Sequence, residues 1–166
     1  LSLIEEERES SFEKITHATP MLSLQKTYDL EDLMAWKKDY DLLATHKIDG
    51  VSISLIYEKG ILVLAKTRGN GKVGEKVTDK IEWCPEIPKK LSAPYNVEIR
   101  GELHCSESKF FVLSDLMVKM GLEKPTSPRN IVAGVLGRKL YGDLTRFFSF
   151  LAFDFSPDNQ VILKTE

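Results

Sequence analysis

The sequence predicts an α+β domain built on an antiparallel β-sheet core with flanking helices. Residues 51–58 alternate apolar with polar side chains, and an apolar segment at 61–66 follows after a short turn that contains glycine, which is typical of a β-hairpin. Two further strands are predicted at 97–104 and 147–155. Because a tight hairpin joins neighbouring strands and helices are inserted between others, the pattern favours antiparallel pairing.

Helices are predicted over residues 29–38, 106–121 and 127–135. Each begins with an Asp or Ser whose side-chain oxygen can accept a backbone hydrogen bond at the helix start. The first helix is interpreted as amphipathic. The second ends at Gly121, a residue suited to the left-handed conformation that often closes a helix, and Pro128 suits the first helical position of the third.

The composition is that of an ordinary globular domain. The chain has 166 residues and a mass of 18.8 kDa, with 42% hydrophobic and 29% charged residues. A net charge of −2 and a pI near 6.0 are not expected of a protein whose whole surface binds nucleic acid, so contact with DNA would need a local basic patch or other domains. Cys84 and Cys105 are predicted to be reduced thiols, since two widely spaced cysteines support neither a disulfide framework nor a metal site.

No targeting signal or membrane span is predicted. The first residues, LSLIEEERES, lack a basic flank followed by an apolar segment, and the longest apolar stretches, around 61–65 and 147–155, are shorter than the roughly 20 residues that cross a bilayer. We therefore expect a cytoplasmic location and no membrane partner. Residues 1–28 are predicted to form a lead-in segment, acidic at its start, that is linked to a domain over residues 29–166.

The central motif is Lys47-Ile48-Asp49-Gly50, which lies between two strand patterns. One interpretation is a hairpin turn at Asp-Gly with a solvated lysine before it. The other is a lysine nucleophile, which attacks only as the neutral amine and therefore needs a pKa below the ordinary value of about 10.4. Because an adjacent carboxylate favours the ammonium form, Asp49 is expected to orient the lysine, with proton acceptance as a second role.

Further segments appear in the order that a covalent nucleotidyltransferase requires. They are His17-Ala18-Thr19-Pro20-Met21-Leu22-Ser23-Leu24, Thr67-Arg68-Gly69-Asn70-Gly71 with Gly74 and Glu75, Glu98-Ile99-Arg100-Gly101-Glu102, and Ser127-Pro128-Arg129-Asn130-Ile131-Val132-Ala133-Gly134. Together with the lysine motif they resemble the N-terminal part of the adenylation domain of bacterial-type NAD-dependent DNA ligases. The resemblance extends from about residue 17 to residue 155.

The resemblance implies a fold and an activity. The fold would be an incomplete covalent nucleotidyltransferase (ATP-grasp-like ligase) fold, with residues 29–166 forming a partial adenylation domain. Lys47 would attack the α-phosphorus of NAD, release nicotinamide mononucleotide and hold AMP. The AMP would then pass to a 5′-phosphate at a nick in double-stranded DNA, which the enzyme seals in replication and repair. Mg²⁺ is the expected metal, and no residue is assigned as its ligand.

The resemblance also assigns roles to residues of this chain. Lys47, Asp49 and Arg68 are the predicted catalytic residues. The residues predicted to bind the AMP part of NAD are Lys47, Gly50, Arg68, Glu102, Arg129, Arg138 and Phe153. Arginines suit this task because charge develops on phosphoryl oxygens and a guanidinium is planar and permanently charged.

Each of three assignments has a structural alternative. Arg68 would be a solvated loop residue, although the glycines that follow it let backbone approach a ligand. Glu102 would form a cross-strand ion pair with Arg100 instead of binding the ribose hydroxyls. Phe153 would belong to the sheet core instead of stacking on adenine.

The chain departs from the family pattern at several places. Thr45 stands where a glutamate usually contacts the base, Asn70 stands where aspartate is common, and Arg138 comes one residue later than usual. The family's region for binding nicotinamide mononucleotide would precede Leu1, and its later lysine motifs would follow Glu166. We therefore expect a fragment, one subunit of a ligase divided between two polypeptides, or a degenerate relative.

Two other functions remain open from the sequence. An ATP-dependent ligase or a capping-type guanylyltransferase shares the Lys-x-Asp-Gly motif. The remaining segments, 17–24, 67–75 and 127–134, favour the NAD-dependent type. A non-catalytic module that binds nucleotide, nucleic acid or a partner protein is the alternative from a different class.

Overall fold

The structure, a computed structural model, describes residues 12–157. The elements in chain order are β1 (Lys14–Thr16), α1 (Leu30–Lys37), β2 (Val51–Glu58), β3 (Ile61–Thr67), β4 (Val73–Glu75), α2 (Thr78–Ile81), β5 (Val97–His104), α3 (Glu107–Lys119), α4 (Pro128–Leu136), a 3-10 helix (Gly142–Phe147) and β6 (Ser149–Pro157). The acidic start of the predicted lead-in segment lies outside the described residues. The domain division at residue 28 stays a prediction.

The main sheet has four strands in the order β3-β2-β5-β6, and every neighbouring pair is antiparallel. The predicted strands at 51–58 and 97–104 are confirmed with those bounds. The turn between β2 and β3 contains Lys59 and Gly60, both with positive φ, as the predicted hairpin requires. The protein is therefore a mixed helical and antiparallel sheet structure, as predicted.

One face of this sheet packs against the helices and forms the core. β2 contributes Ile53, Leu55 and Tyr57, whose side chains are almost fully buried. The helices contribute residues at helical spacing, among them Leu113 and Met117 from α3. No helix within residues 12–157 is long and apolar enough to cross a membrane.

The opposite face of the sheet is polar, and the lead-in segment crosses part of it. Arg100 of β5 donates hydrogen bonds to the carbonyl oxygens of Thr19, at 2.6 Å, and Pro20, at 3.3 Å. Lys66 of β3 donates to the carbonyl oxygen of Thr16 at 3.2 Å. β1 also pairs with β4 in a small antiparallel sheet. Buried cations therefore hold this segment to the sheet through its backbone carbonyls.

His17 joins the same contact from the lead-in side. Its Nε2 lies 3.1 Å from the carbonyl oxygen of Thr67, and the residue is buried. Burial, with the nearby charge of Lys66, lowers the pKa of His17 below its ordinary value. Glu98 lies in the same region. Burial alone would raise its pKa, but hydrogen bonds from Arg100 and Ser54 outweigh that effect and lower it.

The predicted helix starts are confirmed. Asp29 accepts a hydrogen bond from the N–H of Glu31 at 2.7 Å, and Ser106 and Ser127 cap α3 and α4 in the same way. Gly121 has the expected positive φ of 76°. The sequence predicts that α1 is amphipathic, with one face packed against the protein. Within the described part of the chain none of its side chains is buried.

The last predicted strand begins later than expected. Residues 142–147 form the 3-10 helix, so β6 starts at Ser149 and Phe148 is buried in the core. The hydroxyl of Thr145 donates to the carbonyl oxygens of Lys80, at 2.5 Å, and Gly142, at 2.9 Å. These contacts hold the turn and depend on a residue far away in the sequence.

The lysine motif was expected between two strands, and this expectation is wrong. Residues 41–49 form no regular element, and β2 begins only at Val51. The Asp-Gly pair is therefore not a hairpin turn. No sequence pattern predicts β1, β4 or the short helix α2, because the strands are only three residues long and α2 only four.

We predict that both cysteines react slowly while the protein is folded. Cys84 and Cys105 are free and buried, and burial raises the pKa of both thiols, that of Cys105 to about 11. A thiol reagent such as Ellman's reagent needs an accessible thiolate. At about pH 8 the reagent should therefore react rapidly only after denaturant is added. Fast release of colour from the folded protein would contradict this prediction.

We also predict that acid weakens the fold through His17. Its folded pKa lies below the ordinary 6.5, so the unfolded chain binds the proton more tightly. Stability is then complete above about pH 6.5 and falls as the pH drops through the folded pKa. Urea unfolding should show this slope in wild type and lose part of it in His17→Gln. The control is His46→Gln, which replaces an exposed histidine outside this contact.

Candidate functional site

The carboxylate of Glu102 joins the start of β2 to β5. Its Oε1 accepts the backbone N–H of Gly50 at 3.0 Å, and its Oε2 accepts the hydroxyl of Ser52 at 2.6 Å. The register places Ser52 directly opposite Glu102. The alternative of an ion pair with Arg100 is wrong, because Arg100 pairs with Glu98 at 3.1 Å.

Gly50 allows the motif to lie close against the end of β5. A Cβ atom at this position would stand 2.1 Å from the carbonyl oxygen of Leu103, which no side chain tolerates. The absence of a side chain therefore lets the N–H of Gly50 reach Glu102. This contact sets the point where the chain carrying Lys47 and Asp49 enters the sheet.

Asp49 contacts the N-terminal end of α4. Arg129, the second residue of that helix, donates from Nη1 to Oδ1 of Asp49 at 3.1 Å. The side chain of Asp49 is 61% exposed and that of Arg129 is 59% exposed, so the pair faces solvent. The helix start offers backbone N–H groups and a positive dipole end, both of which favour anions.

Arg68 directly follows β3 and lies beside Ser52 of β2. Its backbone N–H donates to the carbonyl oxygen of Ser52 at 2.9 Å, and its Nη1 donates to the hydroxyl of Ser23 at 3.2 Å. The residue is partly buried, but its hydrogen bond to Ser23 is exposed, and its assignment to the nucleotide site stays a prediction. Gly69 follows with a φ of 55°, which turns the chain immediately after the arginine.

Asn70 occupies a position where the family commonly has aspartate, and the structure accounts for the exchange. Its Oδ1 accepts the N–H groups of Lys72, at 3.0 Å, and Val73, at 2.9 Å. Asparagine and aspartate both offer an acceptor oxygen at this place in the side chain. The turn therefore keeps its hydrogen bonds without the negative charge.

Phe153 lies at a β-bulge in β6. Arg100 pairs with Asp154 and Gly101 pairs with Ala152, which leaves Phe153 without a partner opposite it. The ring is 60% exposed, so the alternative that it belongs to the core does not hold. An exposed aromatic ring is available for stacking, and its contact with adenine stays a prediction.

Lys47 and Arg138 complete the set of residues predicted for the site. Lys47 and Thr45 are exposed in the irregular segment before Gly50. Arg138 follows the C-terminal end of α4, so the helix separates it from Arg129 by roughly 13 Å along the axis. The assignment of Arg138 to the nucleotide site stays a prediction.

Ser52 is a member of the site that the motif analysis did not select. Its side chain bonds Glu102 and its backbone bonds Arg68, so it connects two of the predicted residues. Strand alternation could have placed it on the face of β2 that meets Glu102, but only with the register known. Within residues 12–157, no group of three or more His, Cys, Asp or Glu side chains is placed to hold a metal ion.

A family model described as the NAD-dependent DNA ligase adenylation domain matches residues 9–161. The chain belongs to this family. The match confirms the resemblance seen in the motifs, and it includes every residue predicted for the site. The family places those residues in a domain named for adenylation with NAD.

Curated relatives of the chain are named DNA ligases. The chain is 38% identical over 134 residues to the DNA ligase of Shouchella clausii, which covers 76% of this chain and 20% of the relative. It is 39% identical over 134 residues to the DNA ligase of Mycoplasma capricolum, which covers 75% of this chain and 20% of the relative. The DNA ligase of Thermotoga petrophila is 37% identical over 160 residues, which covers 89% of this chain and 23% of the relative. The chain spans about a fifth of the length of these relatives.

We predict that Asp49→Asn and Arg129→Gln change function far more than stability. Because the pair is exposed, each substitution should lower the free energy of unfolding by no more than about 1 kcal/mol. Each should slow formation of the AMP adduct that the family resemblance implies by on the order of tenfold or more. Urea unfolding and the rate of adduct formation measure the two effects.

The matched control is another exposed ion pair. Outside the site, Nη1 of Arg146 lies 2.9 Å from Oδ2 of Asp143. The two side chains are 52% and 42% exposed, respectively. Asp143→Asn should cost similarly little stability and leave adduct formation unchanged. Equal losses of activity in Asp49→Asn and Asp143→Asn would show that the pair at the site has no special role.

Proposed function

We propose that this chain carries the AMP-accepting lysine of an NAD-dependent DNA ligase, and that Lys47 is that residue. The single observation that supports this most is the convergence of Asp49, Glu102 and Arg129 at the chain segment that follows Lys47. A carboxylate for ribose hydroxyls and a guanidinium at a helix start for phosphate are the groups that a bound AMP needs.

The proposed reaction is a single displacement at phosphorus. The neutral Nζ of Lys47 attacks the α-phosphorus of NAD, and a nitrogen–phosphorus bond forms. The bond from that phosphorus to the bridging oxygen breaks, and nicotinamide mononucleotide leaves with the electron pair. The lysine then loses a proton to solvent or to Asp49. Arg68 and Arg129 stabilise the charge on the phosphoryl oxygens during this step.

Asp49 has a second proposed contact, with Mg²⁺. Its exposed carboxylate offers the hard oxygen ligands that this ion prefers. When bound, the ion would offset negative charge on the phosphoryl oxygens.

The nucleotidyltransferase fold, the DNA substrate and the partner polypeptide are part of the same proposal. The family match and the antiparallel sheet with its polar face support the fold. The curated relatives are named DNA ligases, which supports nicked duplex DNA as the final AMP acceptor. The remaining segments of the relatives would be supplied by further chain or by a second polypeptide.

Intact mass spectrometry tests the proposal. The full chain is incubated with Mg²⁺ and either NAD or ATP, with and without a second polypeptide carrying the remaining segments of a relative. We expect an AMP adduct from NAD that maps to Lys47 and is absent from Lys47→Ala. Lys89→Ala, at an exposed lysine outside the site, should keep the adduct.

Other outcomes decide against the proposal. An adduct formed only from ATP would assign the chain to the ATP-dependent type. An adduct on another lysine would remove the role of Lys47. If no adduct forms even with the remaining segments present, the chain is a non-catalytic member of the family.

A further inference from the structure

Two serines on the polar face of β2 make the same kind of hydrogen bond to two glutamates of β5. Ser52 donates to Glu102 at 2.6 Å, and Ser54 donates to Glu98 at 2.6 Å. The surroundings of the two carboxylates differ. Glu98 is paired with Arg100 beneath the lead-in segment, whereas two neutral donors, Ser52 and the N–H of Gly50, hold Glu102.

We propose that Ser52 is a positioning residue that acts through Glu102 and makes the site select a ribonucleotide over a deoxyribonucleotide. This inference rests on the proposed function, since it concerns how the same site recognises the ribose of AMP. Ser52 itself does not contact the nucleotide. It orients the carboxylate that does.

The geometry explains why one hydroxyl has this effect. A carboxylate held at one oxygen can still rotate about its carbon–carbon bonds, whereas bonds at both oxygens define its plane. Gly50 supplies the first bond from the backbone, and Ser52 supplies the second. Each carboxylate oxygen has two lone-pair sites, so Glu102 keeps acceptor capacity for the ribose hydroxyls after both bonds are made.

Ser52 also aligns the ribose contact with the phosphate contact. Its carbonyl oxygen accepts the N–H of Arg68 at 2.9 Å, while its hydroxyl bonds Glu102 on the other side. The three residues thus form one row across β3, β2 and β5. Replacing the serine by alanine removes the hydroxyl and leaves the backbone bond to Arg68 intact.

Binding of AMP and 2′-deoxy-AMP to the full chain tests the inference. Isothermal titration calorimetry measures the two dissociation constants for wild type, Ser52→Ala, Ser52→Thr and Ser54→Ala. The ratio compared is the Kd of 2′-deoxy-AMP divided by the Kd of AMP. In Ser52→Ala the affinity for AMP should fall by roughly tenfold, about the effect of one hydrogen bond to a charged group, while the affinity for 2′-deoxy-AMP changes little. Ser52→Thr keeps the hydroxyl and should restore the wild-type ratio.

Ser54→Ala is the matched control because it removes an equivalent hydroxyl from the same strand and face. It should lower the melting temperature without changing the ratio. If both alanine variants lower the ratio equally, the effect is a general loosening of the sheet and the inference is wrong. It is also wrong if Ser52→Thr behaves like Ser52→Ala.

The remaining outcomes separate this inference from the proposed function. A wild-type chain that binds neither nucleotide even with the remaining segments of a relative present overturns both. A wild-type chain that discriminates between them, with a Ser52→Ala variant that discriminates equally, overturns the inference alone. If Ser52→Ala shows no cooperative unfolding, Ser52→Cys makes the same test, because a thiol of similar size is only a weak donor and the ratio should still fall.

Discussion

The bond network at Glu102 is the constraint on which the rest of the site depends. One carboxylate accepts from the backbone of Gly50 and from the hydroxyl of Ser52, and so connects the lysine motif to two strands. The antiparallel register brings these groups together, and Gly50 leaves the space for the contact. Because buried polar groups are costly when unpaired, the loop has little freedom to move away from β5.

One face of the sheet forms the core, and the other bears the candidate site. The face that meets the helices carries Ile53 and Leu55 and is almost completely buried. The opposite face carries Ser52, Glu102 and their neighbours and bears the candidate site. Strand alternation assigns successive residues of β2 to these two tasks, so a single strand supports both. A shift of one residue in register would exchange the faces and destroy both functions.

The lead-in segment depends on buried charge in a different way from the site. Arg100 and Lys66 donate to its backbone carbonyls, so the two cations are paired with oxygen atoms despite their burial. These contacts bring Ser23 within 3.2 Å of Arg68. The exposed pair of Asp49 and Arg129 contributes little to stability by comparison, and its value lies in where it places charge.

The sequence by itself determined the features that local chemistry controls. Alternation located β2 and β5, side-chain caps located the helices, and the motif order indicated the NAD-dependent DNA ligase family that the comparisons confirm. The tertiary structure alone decided the pairing of β1 with β4 and the partners of Glu102, among them Ser52. Repeating patterns arise from residues within a few positions of one another. Contacts such as Ser52 with Glu102 join residues 50 positions apart and exist only once the strands have a register.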